Sequence, residues 1–130
     1  FAIILLDIDK FKDVNDTYGH DCGDTVLTGV AHGLEKALRK QDIVARWGGE
    51  EFICLLPEVK IAGARTAAEK IRNTIENSQH KCGEAIVSVT VTLGLCLYNG
   101  TCSIDECIRQ ADVALYRGKE GGRNRVVVVD

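Results

Sequence analysis

The chain has 130 residues, of which 45% are apolar and 27% charged, as in one globular domain with its own core rather than a disordered segment. Its 19 acidic residues outnumber 16 lysines and arginines, and the net charge of −3 argues against a general nucleic-acid-binding protein. No apolar run approaches the roughly 18 residues of a membrane-spanning helix. Because the sequence contains no methionine and begins with Phe1, we expect a domain excised from a longer protein.

Apolar patterns predict five strands in this order along the chain. The first is a continuous apolar run that ends in Asp-Ile-Asp and is typical of a strand buried on both faces. Two β-prone runs flank a Gly-Gly pair, which indicates a hairpin, and a long alternating run and a short valine-rich run follow. The predicted strands cover residues 1–6, 42–46, 51–56, 87–97 and 125–129.

Apolar residues recur at helical spacing in three further segments, residues 23–39, 61–75 and 104–115. Ser103 and Glu106 form the sequence of a capping box before the last of them. With a further helix directly after Asp9, the element order is βααββαβαβ, with one hairpin inside a sheet that helical crossovers connect. We therefore predict a single α+β domain over residues 1–130, a ferredoxin-like sandwich with a mixed sheet of about five strands and helices largely on one face.

Six cysteines are present: Cys22, Cys54, Cys82, Cys96, Cys102 and Cys107. No C-x-x-C pair or zinc-type spacing with histidine occurs, so we expect reduced thiols that pack as small hydrophobic groups in a cytosolic domain. A redox or metal module built on these cysteines is the alternative. His32 and His80 have no evident partner and are expected to be structural or solvated.

The end of the first strand carries two carboxylates, Asp7 and Asp9, which strand alternation directs to the same face. Two neighbouring carboxylates repel each other and favour a bound cation. The alternative is that Asp9 caps the following helix.

The turn Gly48-Gly49-Glu50-Glu51 is the second candidate site. Paired glycines let a phosphate approach the backbone, and the glutamates beside them could hold the accompanying Mg²⁺. Should this hairpin lie next to the first strand, Glu50 and Asp7 would converge on one cation. The alternative is a solvated turn.

Two polar segments complete the candidates. Residues 119–125 combine glycines with spaced cations, which suits a phosphate tail or merely complements a helix dipole. Residues 15–21, followed by Asp24, are either a polar loop before a helix or a site for guanine, whose N1–H and amino group suit a carboxylate acceptor.

Together these features resemble the GGDEF domains, the diguanylate cyclases that condense two GTP into cyclic di-GMP. Residues 48–52 are the GGEEF form of the family signature. Residues 7–12, 15–20 and 23–24 are similar to the family's first block, and residues 111–116 and 122–124 to its last. The resemblance covers essentially the whole chain, except that the family's segment before the first strand is missing.

The resemblance implies a nucleotidyl-cyclase-like fold and a role for each matching residue. Mg²⁺, or Mn²⁺, would be held by Asp7, the Ile8 carbonyl and Glu50, with Glu50 and Glu51 as the catalytic acids. The guanine would be bound by Asn15 and Asp24. The phosphates would be held by Lys119 and Arg123, by the backbone near Lys10 and Phe11, and by Gly48 and Gly49.

Arg39 and Asp42 match the family's R-x-x-D product-inhibition pattern, five residues before the signature. An arginine that ends a helix and an aspartate that precedes a strand are the structural alternative. The resemblance further implies a catalytic homodimer, GTP and cyclic di-GMP as ligands, an upstream sensor domain, and a cytoplasmic location even where the parent protein is membrane-anchored. An inactive receptor for GTP or cyclic di-GMP is the alternative function.

Overall fold

The computed structural model describes residues 1–129. Its elements are β1 (Ala2–Ile8), α1 (Phe11–Tyr18), α2 (His20–Ala37), β2 (Ile43–Arg46), β3 (Glu51–Leu56), α3 (Ile61–Glu76), β4 (His80–Cys82), β5 (Ala85–Val87), β6 (Val91–Leu97), α4 (Ile104–Glu120) and β7 (Val126–Val128). None of these helices combines the length and the apolar character needed to cross a bilayer.

A mixed five-stranded sheet in the order β2-β3-β1-β6-β7 forms the centre of the fold. β1 pairs antiparallel with both β3 and β6, so that Ile4 lies opposite Cys54 on one side and Leu95 on the other. Of the strand pairs in the described sheet, only β6–β7 is parallel. This sheet and its four helices confirm the predicted α+β class.

Helices cover both faces of the sheet: α1, α2 and α3 pack on one face, as predicted for most of the helices, and α4 packs on the other. Alternate residues of β1 enter two separate cores: Ile4 packs in the cluster with α2 and α3, whereas Ile3 packs in the cluster with α4. A strand that is apolar at every position needs cover on both faces. Gly94 of β6 permits close contact with α4, because a Cβ atom there would lie 2.1 Å from the Ala111 carbonyl oxygen.

Two predicted boundaries are wrong for reasons of local chemistry. The polar segment 15–21 is helical except at Gly19, whose φ of +90° separates α1 from α2. α1 is only eight residues long and Val14 is its single buried residue, so its apolar pattern is short and easily missed in the sequence. The alternation over 87–97 also hides a division, since β5 ends at Val87 and β6 begins at Val91.

The β4–β5 hairpin was not predicted, and it is joined to α2 by a disulfide between Cys22 and Cys82, whose Cα atoms are 5.4 Å apart. The expectation of six reduced thiols is therefore wrong for this pair. No spacing rule indicates a bond between residues 60 positions apart. The remaining four cysteines are free, and burial raises the pKa of the Cys54 and Cys107 thiols to about 12, which makes them unreactive at neutral pH.

We expect four titratable thiols in the denatured, unreduced protein and six after reduction. Reduction should lower the free energy of unfolding, measured with urea, by about 2–4 kcal/mol, because the cross-link closes a long loop in the unfolded chain. The Cys82→Ser variant should show the same loss without reductant and no further response to it. Cys102→Ser, which removes a free thiol, should respond to reductant like the wild type, and six thiols before reduction would contradict the cross-link.

His80, at the start of β4, is buried, and its Nε2 has no hydrogen-bond partner among the described residues. Its ring lies against Gly29 of α2, where a Cβ atom would come within 2.3 Å of the His80 Nδ1. Burial without a compensating partner lowers the pKa of His80. The imidazole is therefore held in its neutral form by the fold.

This burial makes stability depend on pH in a defined direction. Above the ordinary pKa of 6.5 both folded and unfolded states hold neutral His80, and below it the unfolded state binds the proton first. The free energy of unfolding should therefore fall as the pH drops from 6.5 through the lowered native pKa, by at most about 1.4 kcal/mol per pH unit. Urea titrations at a series of pH values should show a smaller loss in His80→Gln, whereas the exposed His32→Gln control should keep the wild-type dependence.

Candidate functional site

The end of β1 meets the start of β3, and this juxtaposition brings the candidate carboxylates together. Asp7 lies opposite Glu51 in the antiparallel register, and the Ile8 amide donates a hydrogen bond to the Glu50 carbonyl at 3.1 Å. Asp7 and Glu50 thus lie where the end of β1 meets the start of β3, as convergence on one cation requires. We call this place, with Glu51, the acidic edge of the sheet.

Asp7 is 7% exposed, and its two oxygens have different surroundings. Oδ2 accepts a hydrogen bond from the Lys119 ammonium at the end of α4, whereas Oδ1 has no partner among the described residues. Burial raises the pKa of Asp7; the Lys119 contact opposes this rise, and the charges of Glu50 and Glu51 add to it. Burial disfavours the charge on Lys119, but the bond to Asp7 and the nearby carboxylates outweigh it and raise the Lys119 pKa.

The donor set at this edge fits a hard divalent cation. Among residues 1–129, no group of three His, Cys, Asp or Glu side chains is already gathered in metal-binding geometry. The buried Asp7 Oδ1 nevertheless has no hydrogen-bond donor within the described part of the chain, and a cation would satisfy it. Carboxylate and carbonyl oxygens are the ligands that Mg²⁺ and Mn²⁺ prefer.

A cavity of about 340 Å³ lies beside the Gly-Gly turn, and we call it the signature cavity. Its lining comprises Phe11, Lys12, Asn15, His20, Asp24, Leu27, Arg46, Gly49 and Glu50. The two candidate guanine ligands on α1 and α2 therefore face the same space as the turn. Gly23 makes room for this arrangement, since a Cβ atom there would lie 2.0 Å from the Asn15 Oδ1.

Arg46 also belongs to this site, and it is not among the residues predicted from the sequence. Its guanidinium donates to the carbonyl oxygens of Gly48 at 3.2 Å and Gly49 at 2.6 Å, so it braces the turn from within. A Cβ atom at Gly49 would meet nothing within 4 Å. The one signal in the sequence was the position of Arg46, two residues before the Gly-Gly pair. That position did not single Arg46 out, because a charged strand residue next to a turn is usually solvated.

The candidate phosphate-binding residues are distributed around α1. Lys10 and Arg123 line a second cavity of about 550 Å³, on a different side of α1 from the signature cavity, which Phe11 lines. Lys119 pairs with Asp7 at the end of β1, and the charges of Glu50 and Glu51 also act on it. The structure thus joins Lys119 to the carboxylates and leaves Lys10 and Arg123 on the neighbouring surface.

Asp9 does not cap α1, which was the structural alternative for this residue. α1 has no side-chain cap, and Lys10, with φ of 56°, precedes its first residue. The Asp9 carboxylate instead accepts hydrogen bonds from Thr90, Thr92 and the backbone amide of Asn124. Both of its oxygens are occupied, in contrast to Asp7.

Arg39 and Asp42 form a two-pronged ion pair between the end of α2 and the start of β2. Arg39 donates to Asp42 at 2.8 Å from Nη2 and at 3.2 Å from Nε, and Nη2 also donates to the Pro57 carbonyl. The Asp42 side chain is 1% exposed and that of Arg39 41%. The structural alternative is therefore realised, while part of the guanidinium stays open to a ligand.

Comparisons with known proteins agree with this architecture. Residues 1–125 match the family described as "Diguanylate cyclase, GGDEF domain". The chain is 43% identical over 127 residues to diguanylate cyclase DgcM of Escherichia coli K12, covering 98% of this chain and 30% of DgcM. It is 41% identical over 128 residues to diguanylate cyclase A of Treponema denticola, covering 98% of this chain and 34% of that protein.

Solved structures of similar domains have the same fold. The diguanylate cyclase SiaD of Pseudomonas aeruginosa, crystallised with its activator SiaC, superposes with a TM-score of 0.95 at 37% identity, covering 98% of this chain and 49% of SiaD. The GGDEF domain of DgcB from Caulobacter crescentus, in complex with c-di-GMP, gives 0.91 at 34% identity, covering 98% and 76%. The chain belongs to the GGDEF diguanylate cyclase domain family, which confirms the resemblance in the sequence. It spans about a third of the length of the curated relatives.

Proposed function

We propose that this domain condenses two molecules of GTP into cyclic di-GMP and releases pyrophosphate. The observation that carries the proposal is the pairing of β1 with β3, which puts Asp7 beside Glu50 and Glu51, with Glu50 lining the signature cavity. This acidic edge provides oxygen ligands for a divalent ion and, beside them, polar groups for a purine base. The diguanylate cyclases among its relatives support the same activity.

Asp7 Oδ1, the Ile8 carbonyl and the Glu50 carboxylate would hold Mg²⁺ or Mn²⁺ at this edge. The bound ion would supply charge stabilisation for the α-phosphate and the departing pyrophosphate. Lys119 neutralises the other oxygen of Asp7, which lowers the cost of keeping this carboxylate ionised when buried.

The base and the phosphates would be held by different parts of the chain. Asp24 would accept hydrogen bonds from the guanine N1–H and amino group, with Asn15 beside it in the signature cavity. Lys119 and Arg123 would hold the terminal phosphates, assisted by backbone amides near Lys10 and Phe11 and by the approach that Gly48 and Gly49 leave open.

Each domain would bind one GTP, so the reaction requires a second copy of the chain. The 3′-hydroxyl of each nucleotide attacks the α-phosphorus of the other; an oxygen–phosphorus bond forms, the bond to pyrophosphate breaks, and the hydroxyl proton leaves. Two such steps close the ring. Glu51, at the acidic edge, is the candidate acceptor of that proton. The alignment of the two bound nucleotides within the homodimer would supply much of the rate acceleration.

The surroundings of the domain belong to the same proposal. An upstream sensor or regulatory domain in the parent protein would control pairing of the two copies, and the domain would act in the cytoplasm. Cyclic di-GMP would inhibit by binding at Arg39 and Asp42, because a guanidinium recognises both phosphate and guanine edges.

The domain, fused to a dimerising coiled coil, should convert GTP with Mg²⁺ to cyclic di-GMP and pyrophosphate, separated by chromatography. Glu50→Gln should lower turnover about a hundredfold or more, because a metal supplies several kcal/mol of charge stabilisation. Asp24→Asn should narrow the preference for GTP over ATP. The matched control is Glu35→Gln, which removes an exposed carboxylate on α2 and should keep full turnover.

Full turnover in Glu50→Gln would contradict the metal role, and equal use of ATP by the wild type would contradict that of Asp24. Tight cyclic di-GMP binding by a dimerised protein without any turnover would establish a receptor instead.

For the inhibitory site, we expect Arg39→Ala to raise the half-inhibitory cyclic di-GMP concentration about tenfold or more, the loss of one charge-assisted contact. Arg39→Lys keeps the charge beside Asp42 but loses the two-pronged geometry, so it should weaken inhibition with a smaller loss of stability. Initial rates against added cyclic di-GMP, with a thermal melt of each variant, provide the test. Unchanged inhibition in both variants would contradict a role in inhibition and leave the Arg39–Asp42 ion pair with a structural role alone.

A further inference from the structure

The turn between α4 and β7 has an unusual backbone that the proposed chemistry does not explain. Gly122 has φ of 121°, and the next two residues, Arg123 and Asn124, have φ of 65° and 47°. Consecutive non-glycine residues in the left-handed region cost free energy, and they persist only where surrounding groups hold them. Such strain is concentrated at functional sites.

One set of holding groups lies below the turn, at the ends of β1 and β6. The Asn124 amide donates to the Asp9 Oδ2 at 3.0 Å and to the Thr92 Oγ1 at 3.1 Å. Thr92 in turn donates to the Asp9 Oδ1 at 2.6 Å, and Thr90 donates to Oδ2 at 2.7 Å. Asp9 is 8% exposed and Thr92 is fully buried, so these bonds are shielded from water.

A second set lies on α3. The Asn124 side-chain oxygen accepts a hydrogen bond from Arg72 at 3.1 Å, and its side-chain amide donates to Glu76. The Arg123 amide also donates to the Gly118 carbonyl at the end of α4, at 3.0 Å. Asn124 and the backbone amide of Arg123 are therefore both held, although the Arg123 side chain pairs with no carboxylate among the described residues.

We propose that Asp9 and Thr92 are positioning residues that act through Asn124 to aim Arg123 at the phosphates of the nucleotide. This inference rests on the proposed function. It separates the two carboxylates of the Asp-Ile-Asp segment. Asp7 Oδ1 has no hydrogen-bond partner among residues 1–129, whereas both Asp9 oxygens accept hydrogen bonds, Oδ1 from Thr92 and Oδ2 from Thr90 and the Asn124 amide of the turn. In this proposal Asp7 would bind the metal, and Asp9 would position the Arg123 side chain.

Thr92→Val tests the inference with little change of shape, because it replaces only the hydroxyl by a methyl group. We expect amide hydrogen exchange at Asn124 to accelerate about tenfold or more. NMR titration should show affinity for guanosine 5′-(α,β-methylene)triphosphate, which cannot release pyrophosphate, to fall about tenfold, the value of one lost charge-assisted contact. Affinity for guanosine, which has no phosphates, should change less than twofold. Asp9→Asn should act in the same direction.

Two controls separate positioning from a general loss of stability. Val91→Ala removes core packing next to the turn contacts and should leave the ratio of the two affinities unchanged. In an Arg123→Ala background, Thr92→Val should cause no further loss of triphosphate affinity, because its effect passes through the missing guanidinium.

An unchanged affinity ratio in Thr92→Val, or a full additional loss in the Arg123→Ala background, would overturn the positioning role while leaving the proposed function intact. A wild-type protein that binds neither probe would overturn both.

Discussion

The central constraint on this molecule is an acidic edge built around a buried carboxylate. Asp7 lies on the middle strand, where both faces of the sheet are covered. Glu50 and Glu51 lie beside it, at the start of the neighbouring strand β3. Charges in this arrangement are expensive, and burial raises the Asp7 pKa accordingly. Lys119 offsets part of that cost, while the other Asp7 oxygen has no hydrogen-bond partner among residues 1–129.

The rest of the fold can be understood as the means of assembling this edge. The antiparallel β1–β3 pair brings Glu50 to the end of β1, and α4, on the opposite face from α2 and α3, delivers Lys119 from the far end of the chain. The same pattern recurs at Asp9, where groups from β6 and the last turn meet. Two carboxylates two residues apart thereby gain different neighbours.

Much of the fold was predictable because it depends on local periodicity. The apolar run of β1, the Gly-Gly hairpin and the three long amphipathic helices are present close to their predicted positions. The short β4–β5 hairpin was not predictable, since neither strand exceeds three residues and the alternating pattern continues through its end. The Cys22–Cys82 bond escaped for a different reason: pairing across 60 residues depends on where α2 and the hairpin meet.

The sequence by itself determined the family, the class of fold and the identity of the candidate ligands, because residue type and spacing along the chain carry that information. Only the tertiary structure decided which of those residues share an environment. Asn15, Asp24 and Glu50 line one cavity, Lys119 pairs with Asp7, and Asp9 supports a strained turn. Burial and hydrogen-bond partners belong to a place in three dimensions, and they assign different roles to identical side chains.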